Sequence, residues 1–146
     1  CKGAKFEQAN FEDATLTTLK CRNSNFDNAN LSGASVTTGN YVAASFKSAD
    51  LRNAELSFSD FTGADFTGAD LRGADLTGAN FTDATLFGAK LDASNLYWAV
   101  LIRSDLRCAK FGDAYWHEGS VTNNVRIDEC TELPEPTQHG FQSLRK

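Results

Sequence analysis

Large apolar side chains recur at every fifth residue of this chain, from Phe6 to Trp116, without one slip of frame. Of the 23 positions in that register, 19 are Leu or Phe, and the others are Cys21, Val36, Tyr41 and Trp116. Two residues earlier runs a second register, from Ala4 to Ala114. There 17 of 23 positions are Ala and four are Ser, with Leu19 and Gly39 departing. Residues 64–80 read ADFTGADLRGADLTGAN, one unit repeated. A repeat this short decides the architecture before residue-by-residue propensity is considered.

Period five fits neither regular element. In an α-helix five residues turn about 140°, so the large side chains would spiral over every face. In a flat strand five is odd, and successive large residues would alternate sides. A backbone that bends once per unit around an axis sends them all to one interior. The small register then has a steric reason, because two large inward residues per short unit would overfill that interior. Glycines at 63, 68, 73, 78 and 88, two residues after a large centre, suit the bends.

The unit A-(D/N)-L-x-x, legible over residues 2–118, resembles that of the pentapeptide-repeat family. The resemblance implies an all-β fold, a right-handed quadrilateral β-helix with four units per coil and nearly six coils. Its rod would be ~28 Å long at the usual strand spacing. Phe6, Phe26, Phe46 and Phe66 would then form one vertical ladder, and Tyr41, Phe61 and Phe81 a second. Residues 2–118 are expected to form the β-helix, and 119–146 a C-terminal cap and polar tail. The five-residue register is lost after 119–123, LPEP at 133–136 resists a β-coil, and a short helical turn is expected near Asp128–Leu133. Cys-Lys-Gly leads into the first repeat, so the N-terminal end is expected to be trimmed or covered by a partner. With no Met at position 1, the chain as given is expected to be processed or excised.

The same coil places the four cysteines. Cys1 and Cys21 stack one coil apart in the large register. Cys108 lies outside, and Cys130 follows 22 residues later, so Cys108 and Cys130 are the candidate disulfide that would staple the tail. The alternative is four free thiols, with Cys1 and Cys21 as small core residues, since parallel stacked side chains suit disulfide geometry poorly. A disulfide would favour an oxidising compartment such as a periplasm or thylakoid lumen, and free thiols the cytoplasm.

Nothing in the repeat points to catalysis, and an interaction protein is expected rather than an enzyme. The aspartates at 50, 60, 65, 70 and 75 each precede a centre, spreading over successive sides instead of converging on a cleft. His117 and His139 lack zinc-site spacing with the cysteines, and the glycines are periodic rather than clustered before a helix, so no metal or cofactor site is expected. A protein partner is expected. Direct nucleic-acid binding is not, because the chain is acidic and lacks a basic stripe. The apolar runs are too short to cross a membrane.

Some members of the family resemble duplex DNA in shape and charge and bind DNA gyrase. Duplex DNA carries about one negative charge per 1.7 Å, or ~17 over 28 Å. Through residue 120 this chain has 15 acidic and 11 basic residues, a net of −4. That alternative is therefore the weaker one. Better candidates are apolar residues at outward positions: Phe58 and Trp98 in one column, Tyr97 with His117 in the next, and Val100 and Ile102 around a corner. They form a candidate docking patch for a partner or for the chain's own tail, through Val125, Ile127, Leu133 or Phe141.

Overall fold

In a computed structural model, which describes residues 1–117 and 119–134, the chain is a β-helical coil. The residue before each centre makes a parallel bridge to the residue 20 further on, from Lys5↔Asn25 to Asn95↔Tyr115. Four such bridges occur per coil. Each is built as at Phe6, whose N–H donates to Asn25 O at 2.7 Å while Asn25 N–H donates to Ala4 O at 2.9 Å. Each pairing is one residue long because the backbone turns after every centre. The N–H three residues after a centre donates back to the centre's carbonyl, as from Ala64 to Phe61 O at 2.9 Å. The residue two after the centre takes positive φ at every turn from Gly3 to Cys108, as in a type II turn.

The large and small registers face inward, and their side chains are almost wholly buried from Cys21 to Trp116. The two expected aromatic ladders stand in place. Phe6, Phe26, Phe46 and Phe66 stack with centroids 4.8–4.9 Å apart. Tyr41, Phe61 and Phe81 stack at 5.2–5.4 Å, and the columns meet edge to face. At about 1.5–3 kcal/mol per fully buried large apolar side chain, this column is the main stabilising term.

The departures Leu19, Gly39 and Ser59 share one column of the small register, next to Tyr41. Tyr41 is larger than the Leu or Phe of other units, and a Cβ on Gly39 would overlap its ring. Its hydroxyl donates to Leu16 O at 3.1 Å, and burial pushes its pKa above the ordinary tyrosine value. Ser59 fits its own hydroxyl into the widened corner, donating to Val36 O at 2.6 Å and accepting the Gly39 N–H at 3.0 Å.

The coil does not end at residue 118. The ladder continues through Val100↔Val121, Asp105↔Arg126 and Lys110↔Glu132. The separation rises to 21 and then 22, so one residue is inserted before Val121 and another before Glu132. These two insertions are why the five-residue register is lost in the sequence while the bridges persist. The second is taken up by a turn at Glu129–Cys130, in which Thr131 N–H donates to Asp128 O at 3.1 Å. It stands where a helical turn was expected, because Glu132 returns at once to pair with Lys110. Val125, Ile127 and Leu133 pack on the core from this last coil.

Candidate interaction surface

Outside the core, the sides differ in charge. Aspartates and asparagines before the centres accept hydrogen bonds from the residue two further on, as Asp60 does from the N–H (3.0 Å) and hydroxyl (2.6 Å) of Thr62. Where that residue is arginine the carboxylate is also ion-paired, in Asp50–Arg52, Asp70–Arg72 and Asp105–Arg107 at 2.6–2.7 Å. The arginine hydrogen bonds hold all three carboxyls below the usual range, against the opposing effect of partial burial. At Asp65 burial pushes upward, but hydrogen bonds from Thr67 and Lys47 outweigh it. A shallow groove runs between Arg52, Asn53, Arg72, Gly73, Asp92 and Ala93. Both its guanidiniums are committed to their own aspartates, so it offers no free acid–base pair.

One side is unlike the other three. Its units are residues 14–18, 34–38, 54–58, 74–78, 94–98 and 114–117, and they contain no lysine or arginine. The three other sides each carry several, such as Lys47 and Arg107, Arg52 and Arg72, or Arg22 and Arg103. Among the described residues, the basic-free side begins with Thr and Ser, carries only Glu55 and Asp75 as carboxylates, and ends in aromatics.

There the structure brings Tyr97 and Trp98 together, with centroids 4.6 Å apart, and adds His117 at 4.5 Å and Tyr115 at 6.4 Å from Tyr97. Trp98 is 53% and Tyr115 54% exposed, while Tyr97 lies half-buried between them. Tyr115 was not singled out from the sequence. Its signal was an aromatic in the register before the centres, which is polar or charged everywhere else except at Val100. Phe58 stands two coils below Trp98 in the same column, 60% exposed, its ring lying over Gly78 (2.7 Å to a built Cβ). Trp98 lies likewise over Gly119. Both aromatics have positive φ, 56° and 55°, where the same column has glycine at 78. Val100 and Ile102 are half-buried on the adjoining side, with Val100 bridging to Val121.

Val125, Ile127 and Leu133 lie against the core, and the tail touches the aromatic cluster at Gly119, which lies against Trp98 and donates its N–H to His117 Nδ1 at 3.0 Å. Phe141 lies outside the described residues. Phe87 is under the Arg107 guanidinium, 5.7 Å from its centroid, and remains 40% exposed.

The structure joins Cys108 to Cys130 and also Cys1 to Cys21, with Cα atoms 4.4 and 4.6 Å apart. The second pairing had been disfavoured from side-by-side stacking, but parallel coils bring the Cα atoms within the range that disulfides span. Asp128 sits beside the first pair. Partial desolvation pushes its carboxyl up, but the N–H groups of Cys108 and Cys130 and the Thr131 hydroxyl outweigh this and hold it low.

The family model for pentapeptide repeats matches residues 1–33, 42–78 and 79–115, in eight copies. No curated protein sequence matches the chain. Among solved structures, it is similar to HetL of the cyanobacterium Nostoc, a pentapeptide repeat protein involved in heterocyst differentiation regulation. The identity is 26% and the TM-score 0.56, over 85% of this chain and 62% of HetL. The chain thus spans less than two thirds of that relative. A second Nostoc pentapeptide repeat protein is 23% identical with a TM-score of 0.47, over 90% of this chain and 75% of the other. QnrB1, a plasmid-mediated fluoroquinolone resistance protein, is 15% identical with a TM-score of 0.41, over 88% and 85%. With the family model covering most of the coil and the bridges repeating at its period, the chain belongs to the pentapeptide-repeat family.

Proposed function

We propose that this chain is a non-enzymatic interaction module, a right-handed, four-sided β-helical rod that docks a protein partner on its basic-free side. Tyr97, Trp98 and Tyr115 are the anchors, with Phe58 extending the strip and Val100 and Ile102 flanking it. The observation that carries this reading is the exposed aromatic cluster on the one side that has no lysine or arginine among the described residues. A surface of few charges costs little to desolvate, and Trp and Tyr are favoured anchors. Phe58 and Trp98 stand at turn positions whose positive φ the coil imposes throughout, as it does at Thr18 and Thr38 in the same column, and a bulky side chain is disfavoured there. Sharing a fold with HetL, described as acting in a regulatory process, is consistent with an interaction role. The two disulfides suit an oxidising compartment.

A DNA-mimicking binder of gyrase needs a continuous negative field. Here Arg52, Arg72, Arg103 and Arg107 neutralise the carboxylates they pair with, so the charges favour the first reading.

The test is a crosslinked capture from native extract, comparing wild type with a folded Tyr97→Ala, Trp98→Ala variant. A partner held by wild type and lost by the variant supports the reading. Equal capture by both moves the docking surface elsewhere on the rod.

A further inference from the structure

Cys108, Cys130 and Asp128 bring two sulfurs and a carboxylate oxygen within 4.8 Å of one another. The carboxylate is held in place from two directions. The Cys108 N–H donates to its Oδ1 at 3.0 Å, and the Thr131 hydroxyl donates to the same oxygen at 2.9 Å. Oδ2 faces the Cys108 Sγ at 3.8 Å, and the Cys130 Sγ is 3.1 Å from Oδ1. Arg107, the cation whose charge acts on Asp128, is occupied by Asp105 and lies over Phe87. The group sits at the edge of the last coil, with Cys130 and Asp128 exposed, so an ion could reach it from solvent.

We propose that these three residues, with the disulfide reduced, form a zinc site, so that the last coil is closed either by the disulfide or by a metal. Two thiolates and a carboxylate match the ligand types of zinc, which binds four groups tetrahedrally and would complete its shell with water. The Cys108 N–H and Thr131 hydroxyl serve as the outer partners that orient a ligating carboxylate. Reaching the site takes two electrons from a dithiol reductant, so the metal form belongs to a more reducing compartment than the disulfide form suits. One thiolate of the reductant attacks a sulfur, the S–S bond breaks, and the reductant leaves as its own disulfide. The two cysteine thiols then lose their protons as the sulfurs bind zinc.

The experiment uses the full chain reduced with a phosphine under anaerobic conditions, which avoids a chelating dithiol. It is titrated with Co²⁺ and followed by thiolate-to-cobalt charge-transfer absorption, then competed with Zn²⁺. One equivalent is expected to bind, with binding abolished in Cys108→Ser and weakened at least tenfold in Asp128→Asn. Zinc is also expected to restore the hydrogen-exchange protection of the Glu132 amide, which bonds to Ala109 O, where reduction lowers it. Absence of cobalt binding overturns the proposal whether or not the last coil stays docked. So does binding that Cys108→Ser or Asp128→Asn leaves unchanged.

Discussion

Replacing Gly39 with alanine puts a methyl group where the Tyr41 ring already lies. The built Cβ is 3.0 Å from Cζ and 3.1 Å from Cδ2, and closer still to Cε2. Carbon atoms prefer 3.5–4.0 Å, so ring or backbone must give way. The ring has little room, stacked on Phe61 at 5.4 Å and edge-on to Phe26 and Phe46 at 6.1 and 5.9 Å. A shift would also loosen the hydroxyl bond to Leu16 O. Overpacking costs about 1–3 kcal/mol and a weakened buried hydrogen bond about 1. Alanine returns about 0.4–1 kcal/mol by restricting the unfolded chain, since Gly39 is not among the positive-φ residues. The expected net loss is about 1–3 kcal/mol.

In a Tyr41→Leu background the same substitution meets no ring and recreates the Ala–Leu unit found elsewhere, so it is expected to be neutral or stabilising. The unfolded-state contribution cancels in the double-mutant cycle, leaving a coupling of at least about 1.5 kcal/mol. Urea unfolding supplies the midpoints and slopes. Because a solenoid can unfold in steps, exchange of the Asp60 amide, bonded to Gly39 O, gives a local readout. A cost below about 0.5 kcal/mol, or an equal cost in both backgrounds, would refute the steric account of Gly39.

The lowered carboxyl pKa values of Asp50, Asp70 and Asp105 make stability pH-dependent. Their contribution is fully present above the unfolded value near 4 and is lost as pH falls through the folded values, so the urea midpoint should drop below about pH 4. A midpoint that stays flat to pH 2.5 would contradict the ion pairs. Phe58→Gly and Trp98→Gly should leave stability within about 0.5 kcal/mol of wild type or raise it, because glycine adopts their positive φ without strain. Leu76→Ala, in the buried register, should cost about 2–5 kcal/mol, and calorimetry on the three variants would check the contrast. Replacing Cys108 and Cys130 together with serine should lose about 3 kcal/mol on a chain-entropy estimate for a 22-residue separation. The lost protection should map to the last coil by hydrogen exchange, and a uniform loss along the rod would argue against a local staple.

The interior was legible because the period of five belongs to the buried registers, where a misplaced residue would break packing. Both aromatic ladders followed from positions once the family resemblance supplied four units per coil. The last coil was less so, since its single-residue insertions at two corners keep the bridges while destroying the count in sequence. Thr131 and Ser120 still occupy small-register places there, their hydroxyls donating to Leu106 O and Leu96 O. Neither residue type announces that role without the coil beneath it. Tyr115 was hidden differently. A tyrosine in the bridge register looks like a lapse from Asp or Asn until the coils bring it beside Tyr97.

The same geometry separates the surface from the core in a way that sharpens the functional reading. In a filled coil each unit spends two residues on the interior and leaves the others free to vary at little cost to the fold. The turn positions in particular favour glycine, asparagine or aspartate, because φ is positive there. A tryptophan at such a position leaves half its surface in water, outside the buried stack at 76, 96 and 116. Phe58 repeats the choice two coils below, over the glycine that leaves room for its ring. Two exposed aromatics in one column, on a side that carries no lysine or arginine among the described residues, are therefore the features on which the proposed docking rests.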